Sequence, residues 1–163
     1  MGDYLHRVTD AILASEFLPA SVRMKLMRSL GYDISPDACI WAGANLRSKN
    51  LSIGSGVFIN VGFSFDGFDR LEIGENVRIG QNVRIITATH DIGPSTQRGL
   101  IDVVGKPVTI KRGCWICAGA TIMPGVTIAE GCIIGANTLV SDSTEPDGLY
   151  AGTPAKRVRD LNP

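Results

Sequence analysis

The 163-residue sequence predicts an all-β solenoid, a parallel β-helix built from short strands and tight corners. Three observations carry that expectation. From Ile110 onward every sixth residue is aliphatic: Ile110, Ile116, Ile122, Ile128, Ile134, Val140. The same spacing recurs upstream at Ile73, Ile79 and Ile85, at Ile53 and Ile59, and less regularly at Ile34, Ile40 and Leu46. Three residues after these positions stand Gly43, Gly56, Gly62, Asn76, Asn82, Gly113, Gly119, Gly125, Gly131 and Asn137, the two residue types that most readily take positive φ. One position further on the side chain is usually small: Ala44, Val57, Val77, Val83, Cys114, Ala120, Val126, Cys132 or Thr138. A helix has no use for a left-handed corner every six residues, whereas a strand, a corner and a cramped interior slot do. Three flat sides give a coil of about 18 residues, and about five coils at strand spacing make a prism roughly 24 Å tall.

The remaining elements follow in chain order. Residues 1–33 precede the repeat as a helical cap, with Leu5, Val8, Ile12 and Leu13 at helical spacing. A second helix is expected after Pro19, with Val22, Leu26 and Leu30 as its apolar positions and Gly31 as its stop. Its Arg23, Lys25 and Arg28 are expected to form a solvated basic side. The repeat occupies 34–145 and breaks twice, at 65–72 (FDGFDRLE) and at 91–107, a long extruded loop. Ala88, in the hexad entering that loop, replaces the usual glycine or asparagine. Long loops and local departures from an otherwise kept rule are where sites are expected, and His90 stands at this break. Residues 146–163 form a tail packing on the prism.

Composition removes several classes of function. Sixteen Lys or Arg balance sixteen Asp or Glu, which argues against a nucleic-acid surface. No run approaches the ~18 apolar residues of a membrane span, and MGDYLHRVTD lacks the apolar core of a secretion signal, so the cytoplasm is the expected address. Cys114 and Cys117 form one C-x-x-C pair without a second pair or nearby histidines, so no metal is expected. Cys114 and Cys132 fall in the interior slot and read as small hydrophobes.

The six-residue lattice, TATHD before the long loop and AGTPAKRVR near the end together resemble the hexapeptide-repeat acyltransferases, most nearly the maltose and galactoside O-acetyltransferases. That resemblance implies a left-handed helix and a homotrimer binding acetyl-coenzyme A between neighbouring prisms. The implied reaction is acetylation of a hydroxyl on a sugar-like small molecule. His90 matches the family's catalytic histidine. Imidazole suits the role, because a hydroxyl attacks a thioester only as a base removes its proton. His6 reads as a surface residue of the first helix. Asn60 matches an asparagine that holds the acceptor hydroxyl; the family carboxylate expected eight residues on is replaced by Phe68, leaving Asp66 and Asp69 as substitutes. The resemblance places the pantetheine of the donor along Gly80, Ala118 and Ala136, with the Ala118 N–H toward the oxyanion, Ser141 nearby and Trp115 as an aromatic wall. Lys156 and Arg159 match a basic pair for the phosphates, with Arg157 as an extra cation. Cys117 departs from a family glycine. The group that orients His90 is not legible; Asp91 is merely its chain neighbour.

Other readings are an antibiotic or xenobiotic acetyltransferase on the same fold and a non-catalytic binding prism. A zinc carbonic anhydrase needs three histidines, and a nucleotidyltransferase needs an α/β domain that 33 preceding residues leave no room for.

Overall fold

In the computed structural model, which describes residues 2–162 and side chains from position 8 onward, the chain is a left-handed parallel β-helix with few helical residues. The readings of Leu5 and His6 fall outside the described side chains. The first face holds Asp33–Ile34, Leu51–Ile53, Leu71–Ile73, Val108–Ile110 and Thr127–Ile128, all in parallel register. The second holds Cys39–Ile40, Phe58–Ile59, Arg78–Ile79, Trp115–Ile116 and Ile133–Ile134, then Gly148–Ala151 and Lys156–Asp160. Asn45–Leu46, Ser64–Phe65, Arg84–Ile85, Thr121–Ile122 and Leu139–Val140 make the third. The chain visits the faces in that order on each coil, so strands one coil apart hydrogen-bond as neighbours.

Every hexad aliphatic residue points inward and is buried, from Ile34 to Val140. All nine residues of the small slot are buried too, Thr138 included. The ten corner residues all have positive φ, between 55° and 82°. At four corners a glycine lies under an Asn or Asp of the next coil, whose side-chain oxygen occupies the space a Cβ would need: Gly56 under Asn76, Gly62 under Asn82, Gly119 under Asn137, Gly131 under Asp147.

Two helices, α1 (Gly2–Ala14) and α2 (Ala20–Ser29), cover the N-terminal end. Gly31 (φ +88°) ends α2: its N–H reaches Arg28 O at 2.9 Å while Tyr32 N–H reaches Met27 O at 3.1 Å, satisfying two orphan carbonyls. The fully buried face of α2 is Arg23, Met24 and Met27; of the expected apolar positions, Leu26 and Leu30 pack partly buried against the core while Val22 faces solvent. Arg23 is therefore no part of a solvated basic side. At 2% exposure its guanidinium donates to the carbonyls of Leu13 (2.7 Å), Ser15 (2.7 Å), Leu18 (2.9 Å) and Ile40 (3.2 Å). It closes the α1–α2 turn and ties it to the first coil; five fixed donors allow what apolar side chains cannot. Among the described residues no helix is long and apolar enough to cross a membrane.

The stretch 91–107 is largely a hairpin rather than an irregular loop. Its strands Ala88–Ile92 and Gly99–Gly105 pair antiparallel and begin before the expected break, at Ala88. The hairpin stands out from the prism as an arm, and its Ile92 and Ile101 are 86% and 83% exposed. At the other end, Gly148–Ala151 pairs with Ile133–Ile134 and turns back into Lys156–Asp160, which closes the second face.

Candidate active site

His90 lies on the arm, which leaves the prism at the corner between the third and first faces. Its Nδ1 is 3.2 Å from the carbonyl oxygen of Asp102 on the opposing strand. A carbonyl only accepts, so Nδ1 carries the proton in this contact and the neutral ring presents a bare Nε2 lone pair. The orienting group is thus a backbone oxygen across the hairpin, not the side chain of Asp91. No chain-neighbour rule finds it, because Asp102 is twelve residues away.

The root of the arm is fixed by the first break of the lattice. Asp66 accepts from Thr87 N (2.8 Å), Ala88 N (3.0 Å), Phe68 N (3.4 Å) and the Thr87 hydroxyl. Thr87 is fully buried, and its Oγ1 accepts in turn from Asp69 N at 2.9 Å. Partial burial pushes the Asp66 carboxyl up, but these hydrogen bonds outweigh it and hold the group below the ordinary carboxylate range. With its oxygens committed to four donors, Asp66 anchors the arm and is not available as the acceptor carboxylate. Asp69 Oδ1 accepts from Arg70 N at 2.6 Å, while Oδ2 takes no hydrogen bond among the described residues. Gly105 is a glycine for this reason: a Cβ there would stand 2.9 Å from Asp69 Oδ2 and 3.2 Å from the Phe68 ring. The two interruptions are one structure.

The groove lies at the next corner, between the second and third faces. Phe58, Asn60, Arg78, Gly80, Gln81, Trp115, Cys117, Ala118 and Ala136 line an open depression of about 740 Å³. It gathers Asn60, Gly80, Trp115, Ala118 and Ala136 as expected, and adds Phe58, Arg78 and Gln81. Counting strand register finds Phe58 and Arg78, since they and Trp115 occupy matching positions on successive coils. The backbone N–H groups of Gln81, Ala118 and Ala136 have no acceptor among the described residues. They form a row of outward donors fit for an amide-bearing chain. Gly80 lets the coils close there: a Cβ would stand 2.7 Å from Ala118 N. Asn60 Oδ1 accepts from Val61 N at 2.8 Å, which fixes the amide and leaves its NH₂ to donate. Burial raises the Cys117 thiol, and Cys114 more so, to about 12, so neither is poised as a thiolate.

The basic end of the second face is narrower than expected. Lys156 and Arg159 are exposed on the terminal strand. Arg157 instead clasps the tail, donating to Asp160 Oδ1 (2.7 Å), Pro146 O (2.9 Å), Tyr150 Oη (3.1 Å), Glu145 O (3.2 Å) and Asp147 O (3.3 Å). Its guanidinium is spent on the fold rather than offered to a ligand. Ser141 is not in the groove; it follows Leu139–Val140, at the edge of the third face from which the arm also leaves, and donates to Asp142 Oδ2 at 2.9 Å. Within one chain, then, His90 and the groove occupy different corners with the third face between them. Among the described residues no three His, Cys, Asp or Glu side chains are placed to hold a metal ion.

Comparison with known proteins joins these observations. The family model for bacterial transferase hexapeptide (six repeats) matches residues 107–142. The chain is 31% identical over 159 residues to the galactoside O-acetyltransferase of Lactococcus lactis, covering 93% of this chain and 76% of that one. A hexapeptide-repeat-containing acetyltransferase of Vibrio cholerae, solved with acetyl-coenzyme A, superposes with a TM-score of 0.78 at 26% identity, over 98% of this chain and 89% of that one. A maltose O-acetyltransferase of Clostridium difficile superposes at 0.72 with 26% identity, over 99% and 84% of the two chains. Against two other curated relatives the match is shorter, 112 residues in each case, and spans 54% and 58% of their length.

Proposed function

The chain belongs to the hexapeptide-repeat acetyltransferases of the galactoside and maltose O-acetyltransferase type, and from that premise we propose that it moves an acetyl group from acetyl-coenzyme A to a hydroxyl of a sugar or sugar-like acceptor. His90 is the general base. The Nδ1 contact with Asp102 O carries this reading, because in the neutral ring it puts the free lone pair on Nε2 and holds it in place. Nε2 takes the hydroxyl proton as the acceptor oxygen bonds to the thioester carbon. The tetrahedral oxyanion then collapses, the carbon–sulfur bond breaks, and the departing sulfur receives the proton from Nε2.

The groove supports a place for the donor. Unpartnered N–H groups at Gln81, Ala118 and Ala136 match the amides of pantetheine, and the Ala118 N–H is the oxyanion donor. Lys156 and Arg159 lie toward the end where phosphates belong. Asn60 donates its NH₂ to the acceptor hydroxyl, and Asp69 is the remaining carboxylate for the acceptor. Because His90 and the groove sit at different corners, the complete site is formed between copies, in the trimer that the family resemblance implies.

A thiol-release assay with acetyl-coenzyme A tests this, run across neutral sugars, nucleotide sugars and aminoglycoside-type acceptors. Release that depends on a hydroxylated sugar is expected. Turnover of the aminoglycosides alone would move the protein to antibiotic modification, and thiol release from no acceptor would end the transferase reading.

A further inference from the structure

The outward side chains of the second face form a ladder across the groove. Parallel register sets Phe58 beside Arg78 and Arg78 beside Trp115, while Ile59, Ile79 and Ile116 of the same strands are buried. Adjacent rungs are about 4.8 Å apart, so a cation stands between two aromatic rungs. The Arg78 guanidinium lies 5.9 Å from the Phe58 ring centroid, and its Nη1 donates to Gly56 O at 3.2 Å. Trp41 backs Phe58 edge-on, with ring centroids 6.2 Å apart. These contacts fix the guanidinium, yet no carboxylate among the described residues neutralises it. The ion pairs among the described residues join Arg70 to Glu72, Arg112 to Glu130 and Arg157 to Asp160, and none reaches Arg78. Its other N–H groups have no partner among the described residues.

The coenzyme's phosphates do not account for this charge. On the reading above they belong with Lys156 and Arg159 on the terminal strand. The sheet order puts four strand spacings between that strand and Arg78, about 19 Å. Arg78 shares its end of the groove with Asn60, the donor to the acceptor hydroxyl. We propose that Arg78 is a specificity-determining residue selecting an acceptor that carries an anionic group, carboxylate or phosphate, on its hydroxyl-bearing ring. The inference rests on the groove being the transfer site. A planar guanidinium pairs with either anion through two parallel hydrogen bonds, and Trp115, 53% exposed, offers a flat apolar surface to the ring.

Matched acceptors test it: galactose, galacturonate and galactose 6-phosphate, in thiol release with acetyl-coenzyme A, for the native protein and for Arg78→Gln and Arg78→Lys. One of the charged acceptors should exceed galactose in kcat/KM by about ten- to a hundredfold through KM, the range of a charge-assisted hydrogen-bonded pair. Which one does so distinguishes carboxylate from phosphate. Arg78→Gln should collapse that ratio toward unity, and Arg78→Lys should restore part of it, with coenzyme A binding by calorimetry reporting a folded groove in both. Equal use of charged and neutral acceptors by the native protein overturns this inference and leaves the transferase reading standing. A rise in KM for acetyl-coenzyme A instead of the acceptor in Arg78→Gln overturns it as well. Thiol release from no acceptor overturns both.

Discussion

At Asp66 two opposing effects meet. Partial burial favours the neutral acid, while the donors from Thr87, Ala88 and Phe68 favour the carboxylate and prevail. A folded-state pKa held below the unfolded value stabilises the anchor above roughly pH 4, and that contribution is lost as pH falls through the folded value. Asp66→Asn keeps the shape but sets an NH₂ group either against both Thr87 N and Ala88 N or against Phe68 N and the Thr87 hydroxyl. A fall in kcat with little change in KM for acetyl-coenzyme A is expected, together with loss of the acid-side stability step in melts taken as pH falls below about 4. Unchanged kcat would show that the anchor does not govern His90. His90 was legible as a residue, because it sits where the lattice fails, but its tautomer was not. That depends on Asp102 O, and backbone oxygens across a hairpin leave no mark in residue type. Asp66 shows the converse, a carboxylate whose residue type suggests a ligand contact and whose hydrogen bonds assign it to the arm.

Among the elements, the corners were the most readable part of the fold, because positive φ restricts residue choice locally. Each of the ten corner residues was identifiable as Gly or Asn for that reason. What the choice between them achieves appears only when coils stack: the Asn oxygen fills the space over a glycine. Gly119 and Gly125 separate the two effects. Both have positive φ, but a Cβ on Gly119 collides with Asn137 Oδ1, whereas one on Gly125 stands 3.4 Å from the flexible Lys106 side chain. Gly125→Ala should cost about 1–2 kcal/mol in denaturant unfolding, the left-handed penalty alone, and Gly119→Ala measurably more. Equal losses would mean that the stacked side chain simply moves aside. On α2 the apolar pattern holds at Leu26 and Leu30 and fails at Val22 and Arg23, because a buried arginine breaks the rule that charge faces water. Its four carbonyl partners come from three separate segments, which periodicity within one helix cannot register.

Across the whole molecule, three faces give three corners, and the chain uses them for different tasks. The arm with His90 leaves one corner, the groove with its free N–H donors occupies another, and the tail closes the second face. Neutral net charge hides a local arrangement in which Arg78 and the Lys156–Arg159 strand place cations at two levels of one face. The proposed site draws on two corners and so on a neighbouring copy, and this permits a direct test of the account. His90→Ala removes the base, and Ala136→Trp, at an exposed groove position, blocks the donor without touching the core. Each variant alone should lose about 10²–10⁴-fold in thiol release while melting like the native protein. Refolded together in equal amounts, they should regain about a quarter of native turnover, since one site in four then pairs an intact histidine with an intact groove. Near-native turnover by His90→Ala alone, or a mixture that stays as inactive as its parts, would contradict the account.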